Sequence, residues 1–472
     1  MGTAQESWWQ RFARLVPDLA KLGVTQVWLP PPNKASEKLG RGYDAYDLWD
    51  LGEFSQKGTI ATRWGTKAQL LNAIHIAKGH GVQVLVDAVL NHKVGADGAE
   101  HVEAIPVHPL NRTIEVAPKK TIKAWTVFDF PGRNGKYSPF RWKHEHFTGV
   151  DWDGKARDKG VFKITSNRKR GWSQFVSKEL GNYDYLLGAD VDHLHPEVRA
   201  DMLAWASWVL GETGAQGFRL DACKHFDHRF LCEFVKTARS AGRPQMFAVA
   251  EVWNSEVGIL LDFMNALSVP MALFDAPLHT TFHKASMLGP DFDLRTIFHD
   301  SLVQSRPRDA VTFVENHDTV EGQSLESPVS RAFAPIAYSI ILLRPEGYPC
   351  VYHADLMGPR AIPELPKLME ARKRFAYGRC IDHIENSRDP NFIGFLRTGK
   401  SKDGPGCAVI LSNDVAITDS SKVLTISVGT QHTGTRWCDY LGREGETYID
   451  ADGKGHFPIL YGTCVYVRED TM

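Results

Sequence analysis

The sequence predicts an α/β protein: a (β/α)8 barrel of the TIM type, interrupted from about residue 93 by an inserted subdomain and followed by an antiparallel β-sandwich. Three observations carry that expectation. Short apolar runs alternate with helical patterns from residue 5 to about residue 343, the alternation lapses between 93 and 195, and from about 380 short β-rich runs separated by turn signals take over. The implied organisation is a barrel from 1–92 and 196–379, an insert at 93–195 and a sandwich at 380–472.

Residues 5 to 22 place Trp8, Phe12, Leu15, Leu19 and Leu22 at helical spacing and stop at Gly23, a C-terminal cap signal. Val24 to Leu29 then reads as a buried strand ended by Pro30, Pro31 and Pro32. The rhythm repeats with a helix near 66–79 and a strand at Val82–Val86. It resumes with a helix near 196–213, a strand at 217–220, a helix near 227–240 and a strand at 246–250. Further strands are expected at 271–274, 310–314 and 348–352, with helices near 293–305 and 330–343. So many strand–helix repeats with buried strands point to a barrel. The stretch 93–195 is too long for a loop and is rich in aromatic, Gly and Asp residues, which makes it an inserted subdomain. Near the end, Phe392–Leu396, Cys407–Leu411, Val423–Val428, Thr435–Tyr440 and Cys464–Val467 read as antiparallel strands.

Composition narrows the function classes. At 472 residues the chain exceeds the roughly 250 to 300 at which one core stops growing. With 55 basic against 56 acidic residues, a formal charge of −1 gives no electrostatic case for nucleic acid or an anionic membrane. No run of 18 apolar residues is present, so no membrane span is expected. The seven cysteines are scattered with no C-x-x-C pair, which signals neither zinc nor a disulfide framework. The opening MGTAQESWWQ lacks a basic region followed by an apolar run, so the cytoplasm is expected as the chain is written, and secretion if it is truncated.

The chemistry sits at strand ends. Arg219 and Asp221 are two apart in Gly217–His225, so both point the same way from the strand, and a guanidinium beside a carboxylate holds that carboxylate ionised. Such a carboxylate is suited to act as a nucleophile, although a structural ion pair has the same pattern. Glu251 ends the apolar run Phe247–Ala250, a setting that favours the protonated carboxyl. One nucleophile and one acid make the division of labour of a retaining glycosidase, with carboxyls roughly 5 to 5.5 Å apart. Asp87 with Asn91 and His92, and His317 with Asp318, occupy the ends of two further strands. In a (β/α)8 barrel those ends converge on one mouth.

These motifs resemble a known family. Asp87-Ala-Val-Leu-Asn-His92, Gly217-Phe-Arg-Leu-Asp-Ala-Cys-Lys-His225, Ala250-Glu-Val-Trp253 and Glu315-Asn-His-Asp318 are similar, in order and spacing, to the signature regions of the α-amylase family of glycoside hydrolases. Gly42–Phe54, Gly181–Asp190 and Ser324–Ser327 resemble its liquefying bacterial members and their intracellular fungal relatives. The resemblance implies Asp221 as nucleophile, Glu251 as general acid/base and Asp318 as transition-state stabiliser. It places Arg219, His92 and His317 at the cleavage subsite, Tyr43 stacked on the sugar ring, Trp253 nearby, and Lys224 with His225 on the leaving-group side. Asn91, Asp184, Asp190 and the backbone carbonyl of His225 match its calcium site, a set of hard oxygen donors. One calcium is expected. Asp151 and Asp192 remain from a second, calcium–sodium site, but Ser173 and Leu194 stand where two more carboxylates belong. Leu187 replaces an oxidisable methionine.

The implied activity is retaining hydrolysis of internal α-1,4 bonds in starch- or glycogen-like glucans by a monomer. Transglycosylation by the same intermediate and a non-catalytic glucan-binding role are the rivals. On this alignment the first barrel strand is missing, since only MGTAQE precedes the first helix. Three smaller patterns are read as bland. His144-Glu-His146 is taken as one solvated face of a strand rather than a metal pair, Arg168-Lys-Arg170 as a solvated loop, and Asn111-Arg-Thr113 as a sequon relevant only to a secreted chain.

Overall fold

The structure is a computed structural model and describes residues 6–165, 171–384, 387–400, 404, 406–414 and 422–472. Arg168-Lys-Arg170 lies outside the described residues. The chain divides into two compact units, residues 1–253 with 262–272, and residues 254–261 with 273–472.

In the first unit, Ser7 caps the helix Trp8–Lys21 through a reciprocal bond with Gln10, and Thr66 caps Lys67–Gly79 in the same way with Gln69. The strands Gln26–Trp28, Gln83–Ala88, Gly217–Leu220 and Phe247–Ala250 pair side by side in that order, all parallel. Pro196 at the start and Gly214 in the left-handed region at the end bound the helix Pro196–Thr213. The register sets Arg219 opposite Asp87 on one side and Val249 on the other, and Leu220 opposite Ala88 and Ala250. Asp221 and Glu251 therefore leave their strands at one level, while Asp87 lies level with Arg219, two residues earlier.

Between the second and third parallel strands the chain builds an antiparallel sheet from His92–Lys93, Gly98–His108, Asn111–Glu115, Lys120–Val127, Phe147–Asp153, Asp158–Ile164 and Ala189–Val191. Ala189 and Asp190 pair with Lys93 and His92, which carries the insert back to the strand end it left. His144-Glu-His146 does not lie on a strand as expected. It forms a 3-10 turn with His146 buried and His144 bonded to Glu100.

In the second unit, Leu273 and Phe274 pair in parallel with Ala310 and Val311, and Val311–Phe313 with Tyr348–Cys350. The helix expected near 293–305 is only a 3-10 turn at Leu294–Thr296 and one α-turn at Leu302–Ser305. Asp300, at φ +56°, breaks the run. The long helix of this region is Ala276–Leu288, opened by Asp275 and Pro277. The C-terminal part is a six-stranded antiparallel sheet in the order Cys380–Asp382, Phe392–Arg397, Cys407–Ser412, Thr463–Arg468, Arg436–Asp439 and Glu446–Tyr448, with a ribbon of Val423–Ser427 and Lys454–Pro458. Phe392, Ile426, Trp437, Phe457 and Tyr466 are in the core they share. Among the described residues no helix is long and apolar enough to cross a membrane, and all seven cysteines are free thiols.

Candidate active site

Arg219 is 1% exposed and organises the first unit's strand ends. Its Nη1 donates to Asp87 Oδ1 at 2.9 Å and to Asp221 Oδ1 at 2.5 Å, while Nη2 lies 2.9 Å from Glu251 Oε2. One cation is thus shared by three buried carboxyls. The backbone N–H of Ala222 donates to Glu251 Oε2 at 3.1 Å. Asp87 Oδ2 also accepts from the Tyr43 hydroxyl at 2.7 Å and from Trp28 Nε1 at 2.8 Å.

The shared cation changes the expectation for Asp221. Burial pushes its carboxyl up, to about 8, and Glu251 and Asp87 add to the rise, while Arg219 pulls it down. Opposite charge and burial therefore act against each other on Asp221, because the cation is divided and water is excluded.

The neighbours are placed as follows. His92 Nε2 bonds the Tyr43 carbonyl at 2.8 Å, and burial lowers its pKa and favours the neutral ring. Lys224 Nζ donates to the Trp253 carbonyl at 2.7 Å and to both oxygens of Glu179. His225 bonds the Tyr183 carbonyl and is lowered to about 4 by burial and by Lys224. His317 and Asp318 belong to the second unit, just beyond the strand Ala310–Phe313, with His317 Nε2 3.3 Å from Asp318 Oδ2. Asn316 Oδ1 accepts from the Asp318 and Thr319 N–H groups and holds that turn.

Trp28 and Glu179 were missed by sequence reasoning. Trp28 could have been found by the rule that found the others, since it ends an apolar strand.

The expected calcium ligands also lie in the first unit, and they fit a hard cation. Asn91 Oδ1 is buried with no hydrogen-bond partner. Its amide nitrogen reaches Asp190 Oδ1 at 3.5 Å, and the Thr148 hydroxyl donates to Asp190 Oδ2. Burial raises Asp184 to about 7, and the neighbouring charges of Asp192 and Asp227 push the same way. Buried carboxyls beside an orphaned amide oxygen are what a bound cation relieves. Of the weaker pair, Asp151 is exposed and accepts from Gly188 N, and Asp192 accepts from Leu194 N.

A second cluster brings ligand atoms of His146, His195 and Glu197 within 4.8 Å of one another. His146 Nδ1 accepts the Lys143 backbone N–H at 2.9 Å, so the neutral ring carries its proton on Nε2. A metal-bound histidine has the opposite arrangement, donating from its second nitrogen. This cluster borders a cavity of about 740 Å³ lined by Trp49, Tyr137, Phe140 and Glu197, and none of the strand-end carboxyls lines it.

Fold and site together define an enzyme of the two-carboxylate glycoside hydrolase class. The comparisons agree. The family model described as the alpha amylase catalytic domain matches residues 14–391. The α-amylase of Geobacillus stearothermophilus is 41% identical over 472 residues, covering 98% of this chain and 84% of that protein. The cytoplasmic α-amylase of Escherichia coli K12 is 39% identical over 487 residues, covering 98% of this chain and 96% of that protein. The solved structure of an α-amylase from Geobacillus thermoleovorans complexed with acarbose has a TM-score of 0.60 at 18% identity, over 98% of this chain and 92% of that one, a likeness of fold. The chain belongs to the α-amylase family of glycoside hydrolases.

Proposed function

We propose that the chain hydrolyses internal α-1,4-glucosidic bonds of starch- or glycogen-like glucans with retention at the anomeric carbon. The observation that carries this reading is the single guanidinium of Arg219 shared between Asp221 and Glu251 at adjacent strand ends. In the proposed cycle Asp221 attacks the anomeric carbon while Glu251 gives its proton to the departing glycosidic oxygen. The resulting glycosyl ester on Asp221 is then hydrolysed by a water that Glu251 deprotonates, and two inversions give retention.

Arg219 holds the attacking carboxylate in place and offsets its charge. Tyr43 stacks on the reacting sugar, His92 binds its hydroxyls, and Lys224, His225 and Trp253 take the leaving-group side; His317 is assigned to hydroxyl binding from its signature motif alone. Asp318 is assigned from its signature motif to bind the hydroxyls whose contacts strengthen in the transition state. Calcium, held by Asn91, Asp184, Asp190 and the His225 carbonyl, would supply a fixed tie between the second parallel strand's end and the inserted sheet. One such ion is proposed, with Asp151 and Asp192 too poorly supported for a second. The domain boundaries 1–92 with 196–379, 93–195 and 380–472 are retained as part of the proposal. The free thiols of all seven cysteines suit a reducing compartment such as the cytoplasm.

Asp221→Asn tests the reading on maltoheptaose. The variant should keep its circular dichroism and melting temperature yet turn over at less than about a hundredth of the wild-type rate. Faster turnover sinks the assignment of Asp221, and wild-type products longer than the input would move the activity to transglycosylation.

A further inference from the structure

Asp87 reacts with nothing in the proposed cycle, yet three donors converge on its carboxylate. Trp28 Nε1 at 2.8 Å and the Tyr43 hydroxyl at 2.7 Å share Oδ2, and Arg219 Nη1 at 2.9 Å takes Oδ1. That same Nη1 is the donor to Asp221, at 2.5 Å. The Trp28 ring also lies against the guanidinium, with Arg219 Cζ 4.6 Å from its centroid. Trp28 therefore touches both members of the anchor, Asp87 by its N–H and Arg219 by its face.

We propose that Trp28 is a positioning residue for the nucleophile, acting through Asp87 and Arg219 rather than on the sugar. The inference rests on the glycosidase reading above. Asp87 and Asp221 share one nitrogen, each through one of its two hydrogens, so a shift of Nη1 toward either carboxylate lengthens its bond to the other. Each neutral donor on Asp87 Oδ2 satisfies part of that carboxylate and lessens its demand on Arg219. Without the indole N–H, Asp87 draws Nη1 toward itself and the bond to Asp221 lengthens. Among the described residues, the charged groups that bear most on Asp221 are Arg219, Glu251 and Asp87, and Asp221 bears in turn on Tyr43 and Cys223.

Trp28→Phe separates the two contacts, because a phenyl ring still covers the guanidinium but donates no hydrogen bond. Trp28→Leu removes both. With maltoheptaose, Trp28→Phe should lose about tenfold in kcat with KM within about twofold, the pattern of a lost transition-state interaction. The acid limb of its kcat/KM profile should move to higher pH by about half a unit, since Asp221 is harder to ionise once Arg219 recedes. Trp28→Leu should lose about a hundredfold.

A lowered melting temperature with an unmoved acid limb would reduce Trp28 to a packing residue and overturn the proposal. Should Trp28→Phe fail to fold, Tyr43→Phe removes the other Oδ2 donor while keeping an aromatic ring, and it must show the same shift for the proposal to stand. Asp221→Asn in the same assay separates the levels. If it turns over, the glycosidase reading fails; if it is inert while the acid limb of Trp28→Phe stays put, only the positioning role is lost.

Discussion

Ala222, between Asp221 and Cys223, sits at φ +51° and gives its N–H to Glu251 Oε2 at 3.1 Å. A non-glycine residue in the left-handed region is strained, and such strain collects where a backbone group must face a particular way. A β-branched residue cannot adopt that backbone without added cost, so Ala222→Val should lose about 2 kcal/mol of stability and most activity together. Ala222→Gly should keep its activity within about threefold, because glycine adopts the same backbone freely. Unfolding in urea with assays on maltoheptaose checks both, and a Val variant as active as wild type would separate this turn from catalysis. Neither the strain nor the bond was legible in Gly217–His225. The two-residue spacing of Arg219 and Asp221 was, because strand periodicity is local. The raised proton affinity of Asp221 was not, because it depends on Glu251 and Asp87 competing for the same cation.

At the scale of elements, the strand Gly217–Leu220 positions the site only if it lies close to both neighbours. A Cβ on Gly217 would fall 2.3 Å from the Phe247 carbonyl oxygen and 2.7 Å from Leu85 Cδ2, one of them backbone that cannot yield cheaply. Gly217→Ala should therefore cost about 2 kcal/mol or more in urea unfolding, with Asp221 displaced and kcat reduced. An unchanged unfolding midpoint would show that the strand has room to spare. Electrostatics ties other segments together. Burial alone would raise Glu53, but bonds from Lys136, Lys67 and Tyr137 overcome it and hold the carboxyl at about 2. A depressed carboxyl stabilises the fold above its unfolded pKa of 4.5 and loses that contribution as pH falls toward 2. Glu53→Gln should flatten the stability–pH curve in that window by about 1 kcal/mol, allowing for solvent screening; an unaltered acid midpoint would refute the link. The sequence expected one helix at 293–305 and left Ala276–Leu288 unplaced. Periodicity over-read the first, since it ignores the break at Asp300, while Asp275 and Pro277 marked the second clearly enough to have been used.

For the whole molecule, the alternation of strand and helix was legible because buried parallel strands are short, apolar and bounded. The inserted sheet was legible only as an interruption, since its pairing joins residues as distant as His92 and Asp190. That pairing is also where the proposed cation would act. In the proposed calcium set, Asn91 leaves a parallel strand's end, Asp184 and Asp190 belong to the returning limb of the insert, and His225 follows the nucleophile. Without a cation, the buried Asp184 carboxyl and the orphaned Asn91 oxygen oppose folding; with one, both would become ligands. Binding the folded state alone stabilises it by about 2.7 kcal/mol at a hundredfold excess over Kd. Chelation with EDTA should then lower the melting temperature by about 3 °C, reversed by added calcium and not by magnesium, which demands a tighter octahedron. Asp184→Asn should melt at or above the chelated wild type and respond only weakly to EDTA or calcium, because it removes the buried charge and leaves a neutral amide oxygen as the weaker donor. Calorimetry on both proteins decides: a wild type indifferent to chelation removes the calcium site, while a variant that responds as strongly as the wild type moves the site away from Asp184.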